Sequence, residues 1–320
     1  IFDTASGTTI TDVSGNNNDA TLRQSGGAVA GGALTLPGGA RGTAAFVDVP
    51  SAPLAGKKDL TISTWLSPTT GPANTAAAFI GIQPASGQTP PSYWLLNPSN
   101  PSGYVKSVVT NAVNTTSPWT TEVGVGGTNS ATVGQRTTQG MNLYTTVIDG
   151  TNGRLTTYIN GAQIGQNTIA RSVADFQGGT LVASLGRSVY NDTSWAGVID
   201  DFAVYNQAMA ATDVQALYNA QAFDRAMPGI SVPATATTGF TVPTLRSGVA
   251  VSWASDNPAI AISGSTATVI RPAAGAGDAN VTLTATFALG TETRTATYAV
   301  LVPQQGSDVT KVSQDLAAIS

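Results

Sequence analysis

The 320-residue chain has no histidine and no cysteine, and its only glutamates are Glu122 and Glu292. Charged residues make up 10% of it, well below the roughly 25% of ordinary globular domains. Without His or Cys there is no Ser–His–Asp triad, no thiol nucleophile and no zinc site of the usual Cys/His kind. Sixteen aspartates accompany the two glutamates, so two-carboxylate catalysis through Asp and oxygen-ligand metals stay open. Basic residues are also few: 14 Lys and Arg stand against 18 acids, a net charge of −4. That argues against nucleic acid, whose phosphates need basic clusters. No apolar run reaches the roughly 18 residues of a membrane-spanning helix. No leader peptide opens the chain, which begins at Ile1 without an initiator Met, so it is expected to be a piece of a longer protein. The low charge and the Thr, Ser and Asn content point to an exported one.

What is present is β-sheet material. Apolar residues at 41% suffice for packed cores, and the length predicts about two domains. Short β-branched and aromatic runs alternate with Gly, Pro, Asn and Asp clusters. Leu60–Leu66 alternates as a strand with two unlike faces. Two further strands, Tyr144–Ile148 and Leu155–Ile159, flank a Gly-containing turn, and Asn160-Gly161 is a second turn directly after them. Val198–Tyr205 is another strand, in which alternation would send Asp200 and Asp201 to opposite faces. Ala210–Ala220 predicts a helix, with Val214, Leu217 and Tyr218 on one side and Thr212 as its N-cap.

Near residue 223 prolines multiply. Strands at Val249–Trp253, Ala267–Ile270, Val281–Phe287 and Thr295–Val302 then predict a smaller sandwich. The segment Asp308–Ser320 reads as a short amphipathic helix, with Val309, Val312, Leu316 and Ile319 on one face.

These segments resemble known families. Asp12-Val-Ser-Gly-Asn-Asn-Asn-Asp-Ala20, Leu60–Leu66, Gly153–Gly161, Leu185-Gly-Arg-Ser188 and Gly197–Asn206 occur in the order found in bacterial laminin G-like, concanavalin A-like modules. Ala203 departs from that pattern, where the family often has Arg, and the usual first strand is clipped to Ile1-Phe2-Asp3. Val251–Ser255, Val269–Pro272 and Val281–Thr286 resemble atrophied bacterial immunoglobulin-like domains. The resemblance implies an all-β protein: a concanavalin A-like jelly-roll sandwich over residues 1–222, a smaller immunoglobulin-like β-sandwich over 223–304, and a linker with the start of a following module over 305–320. Such pairs accompany the catalytic domains of secreted glycoside hydrolases of the arabinofuranosidase type.

Two sets of candidate residues follow. A carbohydrate module needs exposed aromatic faces, on which sugar rings stack. Tyr93, Trp94, Trp119, Tyr190 and Trp195 fall in long Pro-, Ser- and Asn-rich stretches and are the candidate platforms, with core plugs as the competing reading. Trp65 and Trp253, in strands, read as core. The laminin G-like resemblance implies structural calcium, for which Asp12, Asp19 and Asp200 are the candidate ligands; turn capping is the alternative for Asp12 and Asp19. Glu122 and Glu292 form no carboxylate cluster, and Gly124-Val-Gly-Gly127 lacks the Lys-Ser/Thr of a phosphate loop. The resemblance implies a polysaccharide or oligosaccharide as partner, beside a catalytic domain of the same longer protein. A surface adhesin or stalk segment that contacts a protein is the alternative.

Overall fold

A computed structural model describes residues 5–306 apart from 70, 87, 114–115, 129–134, 136 and 138. The expected helix at 308–320 and the clipped strand at 1–3 lie outside the described residues. The chain divides into two compact units, Ile1–Ala216 and Leu217–Ser320.

The first unit is a two-sheet sandwich with antiparallel pairing throughout. Its nine-stranded sheet runs in the order Ala5–Ser6, Thr9–Ile10, Ala20–Arg23, Phe46–Val49, Thr180–Leu185, Ala78–Gln83, Tyr93–Asn97, Lys106–Thr110 and Glu122–Val125. The seven-stranded sheet runs Ala162–Thr168, Arg154–Ile159, Asn142–Asp149, Asp59–Pro68, Ser194–Tyr205, Ala33–Gly39 and Ala28–Ala30. Strands far apart in the chain thus lie side by side, as a jelly roll requires.

Alternation decides what fills the space between the sheets. Leu60, Ile62 and Leu66 join the core there, together with Ile80, Trp94, Val109, Tyr144, Leu185 and Ile199. Each such burial is worth about 1.5–3 kcal/mol. The intervening Thr61 and Ser63 turn to the other face, where Thr61 Oγ1 donates to Gln207 O (2.8 Å) and Ser63 bonds the Thr145 hydroxyl (3.3 Å). The Asn160-Gly161 turn forms as expected: Ile159 pairs with Ala162, and both turn residues have positive φ, 50° and 76°. Asn160 also accepts the Leu143 N–H on its side chain.

Two local expectations change. The helix runs from Ala211 to Ala226, so Thr212 lies inside its first turn and does not cap it. The amides of Asp213 and Val214 bond Ala210 O instead. Strand Ser194–Tyr205 carries a bulge between Asp200 and Ala203, with Asp201 in the left-handed region at φ 46°. Regular alternation therefore fails at the Asp200-Asp201 pair, and the Asp201 amide donates to Asp200 Oδ1 (2.8 Å).

The second unit contains a four-stranded sheet, Leu245–Arg246, Val249–Ser255, Ala279–Leu289 and Glu292–Val302, and a three-stranded one, Phe240–Thr241, Thr266–Val269 and Ile260–Ser263. Ile260, Ala267, Val281, Leu283, Val300 and Val302 form its core. Trp253 packs against that core, 5.5 Å from the Tyr298 ring, and its indole N–H donates to Pro243 O. Among the described residues no helix is long and apolar enough to cross a membrane.

Candidate functional site

The outer face of the nine-stranded sheet, turned away from the core, brings together a cluster of aromatic and charged side chains. Pairing register sets its rows. Trp94 is paired with Ile80 and Val109, and all three point into the sandwich. Tyr93, one residue earlier, must point out. It stands beside Thr110, whose hydroxyl accepts the Tyr93 N–H, and Thr110 pairs with Glu122. Across this row Tyr93 OH donates to Glu122 Oε1 at 2.8 Å. From four residues before Thr110 on the neighbouring strand Lys106 reaches the other oxygen, Oε2, at 2.6 Å, passing the row of Val108 and Gly124, where Gly124 presents no side chain. Thr128 donates to the same oxygen at 3.5 Å.

Glu122 is thus a fully buried carboxylate (1% exposed) held by a phenol and an ammonium. Burial, followed by the Glu122 charge, pushes the Tyr93 phenol far above its ordinary value, so it is a permanent donor. With both oxygens engaged and its side chain buried, Glu122 is held as a structural anchor.

Aromatic rings rise from this base toward solvent. Phe79 stacks on Tyr93 at 5.8 Å. The Tyr190 ring meets Tyr93 edge-on at 5.5 Å and 84°, and Trp119 meets Tyr190 at 6.2 Å and 72°. Such edge contacts add about 0.5–1.5 kcal/mol each beyond burial. Tyr190 belongs to the loop after strand Thr180–Leu185. Its amide donates to Ser188 Oγ and its hydroxyl to Pro90 O, and this pins the loop over the sheet. Burial raises the Tyr190 phenol as well. Trp119 sits in the 3-10 turn Pro118–Thr121 and is 46% exposed. Asp192 lies near the end of the same loop; partial burial raises its carboxyl above the ordinary range, and Lys106 pulls it part of the way back.

Of the five expected platforms the structure gathers three, Tyr93, Tyr190 and Trp119, and only Trp119 offers an open face. Trp94 and Trp195 are corrected to core residues, 0% and 2% exposed in the cluster between the sheets. Their odd–even position in the strands sends them inward, so no sugar ring reaches them. Sequence reasoning missed Lys106 and the anchoring role of Glu122. The signal available was alternation in Glu122–Val125, which sets Glu122 and Val123 on opposite faces.

The three candidate calcium ligands are not assembled. Asp12 Oδ1 accepts the Ser14 amide and Oδ2 the Asn18 amide, each at 2.9 Å, while Asp19 Oδ1 accepts the Asp12 amide at 2.8 Å. The loop closes on itself, with Asp12 and Asp19 as turn caps. Among the described residues no group of three or more acidic side chains could hold a metal ion, and Asp200 is engaged at its bulge. A cavity of about 970 Å³ opens beside this loop, walled in part by core side chains such as Leu60 and Leu185 and in part by polar residues such as Asp12, Asn18, Lys57 and Gln207.

Comparisons with known proteins agree with this architecture. A model of the concanavalin A-like lectin/glucanases superfamily matches residues 41–215, and one of the atrophied bacterial Ig domain matches 233–305. No curated protein matches. Among solved structures, the chain is similar to domain 4 of AbnA, a GH43 extracellular arabinanase from Geobacillus stearothermophilus, in complex with arabinotriose. Identity is 19% and TM-score 0.41, over 68% of this chain and 84% of that one. It is also similar to the Ruminococcus gnavus IT-sialidase CBM40 bound to alpha2,3 sialyllactose, at 16% identity and TM-score 0.44, over 62% and 97% of the two chains. A third is a mutant Trypanosoma rangeli sialidase displaying trans-sialidase activity, at 13% identity and TM-score 0.48; 68% of this chain matches 32% of that one. By its sandwich and its family match over residues 41–215, the chain belongs to the concanavalin A-like lectin/glucanases superfamily, followed by an atrophied bacterial Ig domain.

Proposed function

We propose that the first unit binds carbohydrate on the outer face of its nine-stranded sheet, as a non-catalytic accessory region of a secreted or cell-surface bacterial glycoside hydrolase. The observation that carries this reading is the ring series Phe79–Tyr93–Tyr190–Trp119, which begins on a buried anchor and ends on the half-exposed indole of Trp119. A sugar ring stacks on Trp119, and Asp192 and the Lys106 ammonium supply acceptor and donor for hydroxyls. The rings beneath hold the indole in place, so little freedom is lost on binding. Membership of a superfamily of lectins and glucanases supports the reading. The engaged, buried state of Glu122 favours the lectin side over the glucanase side. Such a shallow platform binds weakly, and attachment to a catalytic domain raises its effective concentration.

Isothermal titration against a panel of plant and microbial polysaccharides tests it. Wild type is expected to bind at least one member, and Trp119→Ala to weaken that binding about tenfold or more while staying folded, with a melting temperature lowered only by the lost Tyr190 edge contact. A panel without binding, or equal affinity of Trp119→Ala and wild type, would sink the proposal.

A further inference from the structure

We infer that Arg41 and Arg187 form a subsite for an anionic group of the ligand, the carboxylate or sulfate of an acidic sugar, on the same outer face. The inference rests on the carbohydrate reading and names its substrate class.

Arg187 directly follows Gly186 at the end of strand Thr180–Leu185, in the loop that carries Tyr190. Phe46 precedes the core residue Val47 and so stands on the outer face. The Arg187 guanidinium lies over the Phe46 ring, 3.1 Å from its centroid. The two arginines hold each other's segments: Arg187 Nη1 donates to Arg41 O at 3.5 Å, and Arg41 Nε donates to Ser188 O at 3.2 Å. Both partners are neutral carbonyls. Among the described residues neither guanidinium has a carboxylate within ion-pair distance, and the nearby Asp48 is taken by Arg23 at 3.2 Å.

Two half-buried cations are therefore held close together, and among the described residues neither is directly paired with a carboxylate. The cost is visible in Arg187, whose pKa falls to about 10, first through burial and then through Arg41, with Asp48 opposing. A guanidinium has five N–H donors in a planar fork. Lying on a ring, it keeps the edge donors available, and among the described residues each arginine here spends only one. An anion placed between the two would receive charge-assisted, bidentate hydrogen bonds and would relieve the repulsion. A neutral ligand gains neither. Ser188 links the subsite to the aromatic series, because its carbonyl holds Arg41 and its hydroxyl accepts the Tyr190 amide.

The test titrates the whole chain with galacturonate oligosaccharides, their methyl esters, a sulfated galactan, a neutral arabino-oligosaccharide and free galacturonate. Wild type is expected to bind one acidic glycan at least tenfold more tightly than the uncharged methyl ester. That margin should shrink with salt and vanish in Arg41→Gln and Arg187→Gln. Preference for the galacturonate arm identifies a carboxylate, and preference for the sulfated arm a sulfate. If Arg187→Gln loosens the fold through the lost Phe46 stack, Arg41→Gln decides, since its side chain gives up one hydrogen bond. Equal binding of acid and ester, or wild-type acid affinity in a folded Arg41→Gln variant, overturns the arginine subsite and leaves the carbohydrate reading standing. Absence of wild-type binding to every one of these sugars, acidic and neutral, overturns the carbohydrate reading instead.

Discussion

At the residue scale the most consequential side chain is Glu122, one of two glutamates in a chain with little charge to spare. Its burial is tolerable because Tyr93 and Lys106 occupy its two oxygens. Removing Lys106 strands the carboxylate, a change that costs about 3–5 kcal/mol for a buried pair. Lys106→Met is therefore expected to lower the chemical-denaturation midpoint sharply, and adding Glu122→Gln to restore much of the loss. Tyr93→Phe deletes one hydrogen bond to a charged acceptor, worth about 1.5–3 kcal/mol, and should be milder in the same measurement. Two partly exposed carboxylates contribute acid sensitivity. Hydrogen bonds from Ser14 and the Asn18 amide hold Asp12 below its ordinary value, and the Thr151 hydroxyl does the same for Asp59. A depressed carboxyl contributes stability above its unfolded pKa of about 3.9 and loses it as pH falls through the lower folded value. Melting temperature followed from pH 5 to pH 2 should fall, and the double variant Asp12→Asn/Asp59→Asn should flatten that slope.

At the scale of elements, strands and turns were legible and their irregularities were not. The hairpin ending in Asn160-Gly161 could be read directly, because two positive-φ residues in succession suit Asn and Gly and little else. Periodicity showed that a helix begins near Ala210, yet its true extent to Ala226 depends on packing. Val214 is buried with Val147 and Tyr158, a contact the sequence cannot foresee. The Asp200–Ala203 bulge was likewise hidden, since a single extra residue leaves no mark in a composition window. One glycine has a clear structural duty. A Cβ at Gly81 would stand 2.6 Å from the Phe79 ring and 2.7 Å from Tyr93 Cβ, so Gly81 makes room for the stack beneath Tyr190. Gly81→Ala should destabilise by about 1–3 kcal/mol, as overpacking does, and near-ultraviolet circular dichroism should report altered aromatic packing.

For the molecule as a whole, the metal question is one of what closes the first unit. With Asp12 and Asp19 bonded to their own loop amides, chelation is expected to leave the melting temperature unchanged. A rise of several degrees on adding calcium would show a native-state metal and refute the self-closed loop. The candidate site was half legible. Tyr93, Tyr190 and Trp119 stood out as aromatics in Pro- and Asn-rich stretches, but so did Trp94 and Trp195. Adjacent residues of a strand face opposite ways, and sequence tells that Tyr93 and Trp94 part company without telling which one the second sheet covers.

The sequence by itself determined the class of this protein. Missing His and Cys removed whole mechanisms, period-two runs and Gly/Asn turns dictated sheets, and ordered motifs marked the two families. Tertiary structure alone decided the site. Lys106 and Glu122, the Phe46 ring and Arg187, or Trp119 and Tyr190 are distant in the chain and meet only because strand order and a pinned loop bring them to one face. That is a matter of register and long-range packing, which no local pattern encodes.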